Sequence, residues 1–84
     1  MNYEVKLAPA TVQQIKKLDA QVQKQVIINL EKLAQNPFLV ETHPLKNQEN
    51  LYLFRLNHQY RIVYQLNQKS SELIVLKVAH QSDY

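Results

Sequence analysis

Glycine is missing from this chain altogether. A P-loop and a Rossmann fingerprint both need glycines so that backbone can come close to phosphate, so nucleotide chemistry through those motifs is excluded. Any phosphate must be held by side chains. Cysteine is missing too. That excludes a disulfide framework and a thiolate zinc site, and it fits a reducing compartment. The three histidines, His43, His58 and His80, show no metal-ligand spacing, so no metal and no cofactor are expected. No apolar run approaches the roughly 20 residues of a membrane-spanning helix. The opening MNYEVKLAPA holds no apolar signal-peptide core. A cytoplasmic protein with no membrane partner is the expectation. Arginine is scarce: Arg55 and Arg61 are the only two.

What is present describes one small domain, residues 1–84, with one core. An apolar content of 45% against 20% charge places the chain among folded rather than disordered sequences. The net charge of +3 is a mild basic bias, compatible with nucleic acid without being diagnostic of it.

The most informative stretch is LYLFRLNHQYRIVYQL, residues 51–66. Two aromatic and β-branched runs flank the polar break Asn57-His58-Gln59, which predicts a β-hairpin. A three-residue loop fixes the register: Leu56 with Tyr60, Arg55 with Arg61, Phe54 with Ile62, Leu53 with Val63 and Tyr52 with Tyr64. Alternation then puts Tyr52, Phe54, Leu56, Tyr60, Ile62 and Tyr64 on one face. The other face carries Leu53, Val63 and both arginines, directly opposite each other. Like charges across a strand pair are destabilising, and arginine cannot shed its proton to relieve them. Either the pair holds an anion, or each guanidinium leans away into solvent.

Tyr3, Val5 and Leu7 alternate with charged residues and predict a first strand over 3–7. Pro9 suits the first turn of a helix, and Val12, Ile15 and Leu18 form its stripe up to about residue 19. Asp19 can cap a second helix. There Val22, Val26, Leu30 and Leu33 form one stripe, which Ile27 and Ala34 widen, and Asn36-Pro37 closes it. The two helices read as an αα-hairpin with apolar faces. Residues 38–50 read as a loop. Residues 73–80, LIVLKVAH, read as the last strand, with Ile74, Leu76, Val78 and His80 on one face and Val75, Lys77 and Ala79 on the other. The order is β-α-α-β-β-β, an α+β fold in which the helix pair covers one face of a small, mainly antiparallel sheet. Arg55, Arg61 and Lys77 then lie on the open face. Tyr52, Tyr60 and Tyr64 are assigned to the core.

The segment YLFRLNHQYRIVYQL, the strand IVLKVAH, the tail QSDY and the helical KLDAQVQKQVIINLEKLAQNP resemble the RelE/ParE superfamily of toxins from bacterial type II toxin–antitoxin modules. The resemblance covers nearly the whole chain. Its most specific pieces are the Tyr60–Tyr64 core with Arg55 before it, and a terminal His followed by Tyr. It implies a RelE-like fold and a metal-independent endoribonuclease that cuts mRNA in the ribosomal A site, by attack of the RNA's own 2′-OH on the next phosphate. It implies Arg61 at the scissile phosphate with Arg55 in support. It also implies His80 as an acid or base beside Arg61, and Tyr84 stacking on a base or placing the hydroxyl. Lys46, Lys77 and Gln81 are the implied RNA-binding positions. The implied partners are a cognate antitoxin, the ribosome and mRNA, with DNA reached only through the antitoxin complex.

Three positions depart from the family pattern. Gln81 stands where many relatives have arginine, and Leu53 where some have lysine. Gln59 replaces a turn glycine, so Asn57 or His58 is expected in the left-handed conformation. Two alternatives stand beside the nuclease. One is a ParE-like inhibitor of DNA gyrase, which needs no acid–base group. The other is a catalytically weakened relative kept as an antitoxin-binding module.

Overall fold

The computed structural model describes residues 2–39, 41–46 and 48–83. Its elements are β1 (Glu4–Leu7), α1 (Pro9–Lys16), α2 (Ala20–Gln35), β2 (Thr42–Pro44), β3 (Leu51–Leu56), β4 (Tyr60–Asn67), β5 (Glu72–His80) and a single 3-10 turn (Gln81–Asp83). The strands form one sheet in the order β1-β5-β4-β3-β2. β1 runs parallel to β5, and every other neighbouring pair is antiparallel. The expected α+β arrangement is present, with five strands rather than four. The extra strand is β2, inside the stretch read as a loop. It spans three residues, ends in Pro44 and is largely exposed, too short for any alternation to register.

The helical hairpin forms as its caps predict. Pro9 occupies the first turn of α1, where its missing N–H leaves no bond unmade. Asp19 caps α2 by accepting from the Val22 N–H at 2.9 Å. Gln23 reaches back from α2 and donates to the carbonyls of Ile15 and Leu18, each at 2.9 Å, closing the C-terminal end of α1. β1 ends at Leu7 opposite Val75, and α1 takes over the edge of β5 from there. The Thr11 hydroxyl donates to the Val75 carbonyl at 2.8 Å, and the Val78 N–H donates to the Gln14 amide oxygen at 2.7 Å. The outer edge of β5 is thereby bonded rather than bare.

Under the helices lie Val26, Leu30 and Leu33 from α2, with Phe54, Leu56, Ile62, Tyr64, Leu66, Leu73, Val75 and Val78 from the sheet. Two expectations need correction. Ile27 does not widen the buried stripe of α2, for it is 52% exposed. Ile74 and Leu76 do not face the helices either; Leu73, Val75 and Val78 do. The cause is a β-bulge. Tyr64 pairs with Val75 while the adjacent Val63 pairs with Lys77, so Leu76 is an extra residue in β5. The extra residue reverses the alternation between Val75 and Val78, and a strict period-2 reading cannot cross it.

Tyr64 anchors the far end of this core. Its ring stacks on Tyr52 at 5.7 Å between centroids, with Phe38 edge-on to Tyr52. Its hydroxyl donates to the Pro37 carbonyl. Burial pushes the phenol up to about 12, because the anion would lose its hydration. The unfolded phenol ionises near pH 10 and the folded one near 12, so this contribution to stability is intact below about pH 10 and disappears as pH climbs to 12. Stability should fall by roughly 2–3 kcal/mol across that window. Tyr64→Phe should remove Tyr64's part of that fall. At neutral pH it should cost about 1–2 kcal/mol, since the Pro37 carbonyl loses its donor. Urea unfolding of both proteins at the two pH values checks this.

Candidate nucleic-acid interface

The hairpin adopts the register its loop length dictates, with Arg55 directly opposite Arg61. Both arginines therefore project from the sheet face away from the helices. The adjacent row on that face is Leu53 beside Val63. Both are buried, yet they lie outside the main core cluster. Across β4 from Arg55, the neighbour of Arg61 on β5 is the small Ala79, which leaves the guanidinium room on that flank. Arg55 is exposed and Arg61 half-buried.

The turn beside this pair is built without glycine. Asn57 and His58 both take the left-handed conformation, at φ 55° and 59°, so both residues named for that role adopt it. The Gln59 N–H donates to the Leu56 carbonyl at 3.1 Å. Two successive left-handed residues closed by that bond make a turn whose twist suits a hairpin. A left-handed residue with a Cβ costs about 1–2 kcal/mol. Asparagine tolerates it well, and the Asn57 amide also donates to the Gln25 side chain of α2, fastening the hairpin tip to the helical layer. Histidine, like asparagine, is enriched among non-glycine residues at positive φ.

A cleft of about 270 Å³ opens at this end of the sheet, lined by Arg55, His58, Tyr60, Arg61 and Gln81. Gln81 is brought in by the 3-10 turn, where its N–H donates to the Gln59 carbonyl at 2.7 Å. Among the described residues that line it there is no carboxylate. Of the expected site residues, Arg55, Arg61 and Gln81 share this cleft. His58 and Tyr60 join them although neither was assigned to the chemistry.

The remaining expected residues lie elsewhere. His80 pairs with Tyr60, packs edge-on against its ring at 5.2 Å, and so belongs to the helix-side face. Its Nδ1 accepts from the Ser82 N–H at 3.1 Å and lies 2.8 Å from the Ser82 hydroxyl, which leaves Nε2 to carry the ring hydrogen of the neutral form. His80 borders a separate cavity of about 430 Å³ with Gln14, Lys17 and Leu18 of the helical hairpin. Lys77 also borders that cavity, while pairing with Val63 across the sheet. Lys46 sits in the turn after β2, beside the start of β3, separated from Arg55 by roughly 13 Å of strand. Tyr84 falls outside the described residues. Among the described residues no cluster of His, Asp or Glu could hold a metal ion, and no helix is long and apolar enough to cross a membrane.

A helical hairpin laid on one face of a five-stranded sheet is the build of a RelE/ParE superfamily toxin. More particularly, the chain belongs to the ParE toxin family of type II toxin–antitoxin systems (parDE), whose model matches residues 5–84. Among solved structures it is similar to archaeal RelE in the RelE–RelB complex from Pyrococcus horikoshii. There the TM-score is 0.85 at 24% identity, with 100% of both chains covered. It is similar to isolated Escherichia coli RelE, with a TM-score of 0.82 at 22% identity over 93% of this chain and 83% of that one. It is also similar to the YoeB/ParE toxin from Agrobacterium tumefaciens, with a TM-score of 0.79 at 17% identity over 93% and 98% of the two chains. The comparison with curated proteins gives no match.

Proposed function

We propose that this chain is the toxin of a toxin–antitoxin pair and cuts mRNA on the ribosome as a metal-independent endoribonuclease. The observation that carries the proposal is the convergence of Arg55 and Arg61 on one cleft. In the reaction, the RNA 2′-oxygen bonds to the adjacent phosphorus and the bond from phosphorus to the 5′-oxygen breaks. The 2′-hydroxyl proton is lost and the leaving oxygen gains one. The products are a 2′,3′-cyclic phosphate and a 5′-hydroxyl. Negative charge accumulates on the phosphoryl oxygens midway, and fixed guanidinium groups stabilise it more than they stabilise the ground state. Arginine presents a planar fork that matches two phosphate oxygens at once. Gln81 contributes an amide where relatives often place a charge, so the two arginines carry the electrostatic load.

A cognate antitoxin is the proposed partner. Similar folds are known in complex with RelB from Pyrococcus horikoshii, Escherichia coli and Methanococcus jannaschii. Ribosome and mRNA complete the set, and a cytoplasmic location follows from them. A second reading, inhibition of DNA gyrase, is favoured by the family match itself, which is to ParE toxins. Expression of the chain alone followed by primer extension on cellular mRNA separates the two. Cuts inside translated codons are expected. Intact mRNA with induction of the DNA-damage response would establish the gyrase reading instead.

A further inference from the structure

We infer that His58 is the general base of the cleft, taking the proton from the attacking 2′-hydroxyl; this rests on the nuclease reading and deepens it. Among the described residues five line the cleft: Arg55 from β3, His58 from the hairpin tip, Tyr60 and Arg61 from β4, and Gln81 from the 3-10 turn. The 2′-hydroxyl must lose its proton as its oxygen bonds to phosphorus. Arginine already holds all its hydrogens and stays charged, glutamine has no titratable group, and a phenol at neutral pH is a donor. Imidazole is the one side chain among the five able to accept a proton there.

The backbone supports the same assignment. His58 occupies a left-handed position at φ 59° that glycine would fill with less strain, and strain of this kind collects where a side chain must be aimed. The neighbouring Asn57 is bonded to Gln25 on the helical side, which fixes the tip and leaves His58 to the cleft. The rival imidazole, His80, is not among the described lining residues, packs edge-on against Tyr60 and has Nδ1 engaged by Ser82. The proton balance is complete. The 2′-oxygen gives its proton to the neutral imidazole, the 5′-oxygen leaves and is protonated by water, and the imidazolium returns its proton to solvent.

The test uses purified full-length chain, ribosomes programmed with mRNA, and single-turnover cleavage between about pH 5 and 8. The wild-type rate should rise with pH through one ionisation. His58→Gly, which keeps the left-handed backbone, should lose about 10²–10⁴-fold in rate and flatten the profile. Free imidazole in the buffer should then restore part of the rate, a recovery that a merely structural histidine would not give. A His58→Gly protein that cuts at the wild-type rate with the slope intact, or that imidazole fails to rescue, overturns the assignment of His58 alone. So does a slope that vanishes in His80→Asn instead. A wild-type chain that never cuts ribosome-bound mRNA overturns the nuclease reading together with this one.

Discussion

Arg61→Ala is expected to abolish growth arrest when the chain is expressed without an antitoxin, and to lower mRNA cleavage by about 10²–10³-fold. The fold should survive. Arg61 projects from the face opposite the main core, between Arg55 and Ala79, so its removal opens no cavity among the buried residues. Stability should therefore stay within about 1 kcal/mol of wild type. Growth arrest scored beside a urea unfolding curve checks both halves. Arrest that persists, or arrest lost only because the protein unfolds, would remove Arg61 from the chemistry.

Leu33→Ala is expected to have the largest effect on stability. Leu33 is fully buried in the α2 stripe, against the sheet. Truncation removes apolar contacts and leaves a void that close-packed neighbours fill only in part, at a cost of about 2–5 kcal/mol. A chain of this size has roughly 4–13 kcal/mol to lose, so the change consumes a large share of it. The thermal midpoint should drop by more than about 10 °C. Ile27→Ala on the same helix should be close to neutral, because Ile27 is 52% exposed. Thermal melts of the two variants side by side decide the matter. Equal losses would mean that α2 presents a different face to the sheet.

The sequence specifies the hairpin of β3 and β4 almost completely. Its loop length sets the register and its alternation sets the faces, so Arg55 and Arg61 could be placed opposite one another from residues alone. The helical hairpin was legible for similar reasons, through Pro9, the Asp19 cap and the buried stripe of Val26, Leu30 and Leu33. Two features were not. β2 is three residues long and follows no period. The bulge at Leu76 inverts the faces of β5 midway, and nothing in LIVLKVAH marks which apolar residue is the extra one. The pairing of the two arginines was legible in the residues, and the presence of His58 in the cleft lining was not. Resemblance alone pointed to His80, which pairs with Tyr60 and packs against its ring. A signal for His58 did exist. A three-residue loop next to a paired Arg55 and Arg61 puts its central residue at the mouth of whatever the arginines hold.

The absence of glycine shapes the site as well as the exclusions. Among the described residues, four non-glycine positions have positive φ, Asn50, Asn57, His58 and Ser71, and each carries a side chain that glycine would have lacked. At the hairpin tip those side chains are used. Asn57 ties the turn to α2, and His58 enters the lining of the arginine cleft. A glycine there would ease the turn and leave both tasks undone.

The claim beneath the whole account is that Arg55 and Arg61 act on a single phosphate, and a double-mutant cycle on the cleavage rate tests it most directly. Arg55→Ala, Arg61→Ala and the double variant are compared on the same programmed ribosomes. Two groups holding one transition-state charge are not independent, so the double variant should lose clearly less than the product of the single losses, with a coupling of about 0.5–3 kcal/mol. Losses that simply multiply, or an Arg55→Ala protein that cuts as fast as wild type, would contradict it.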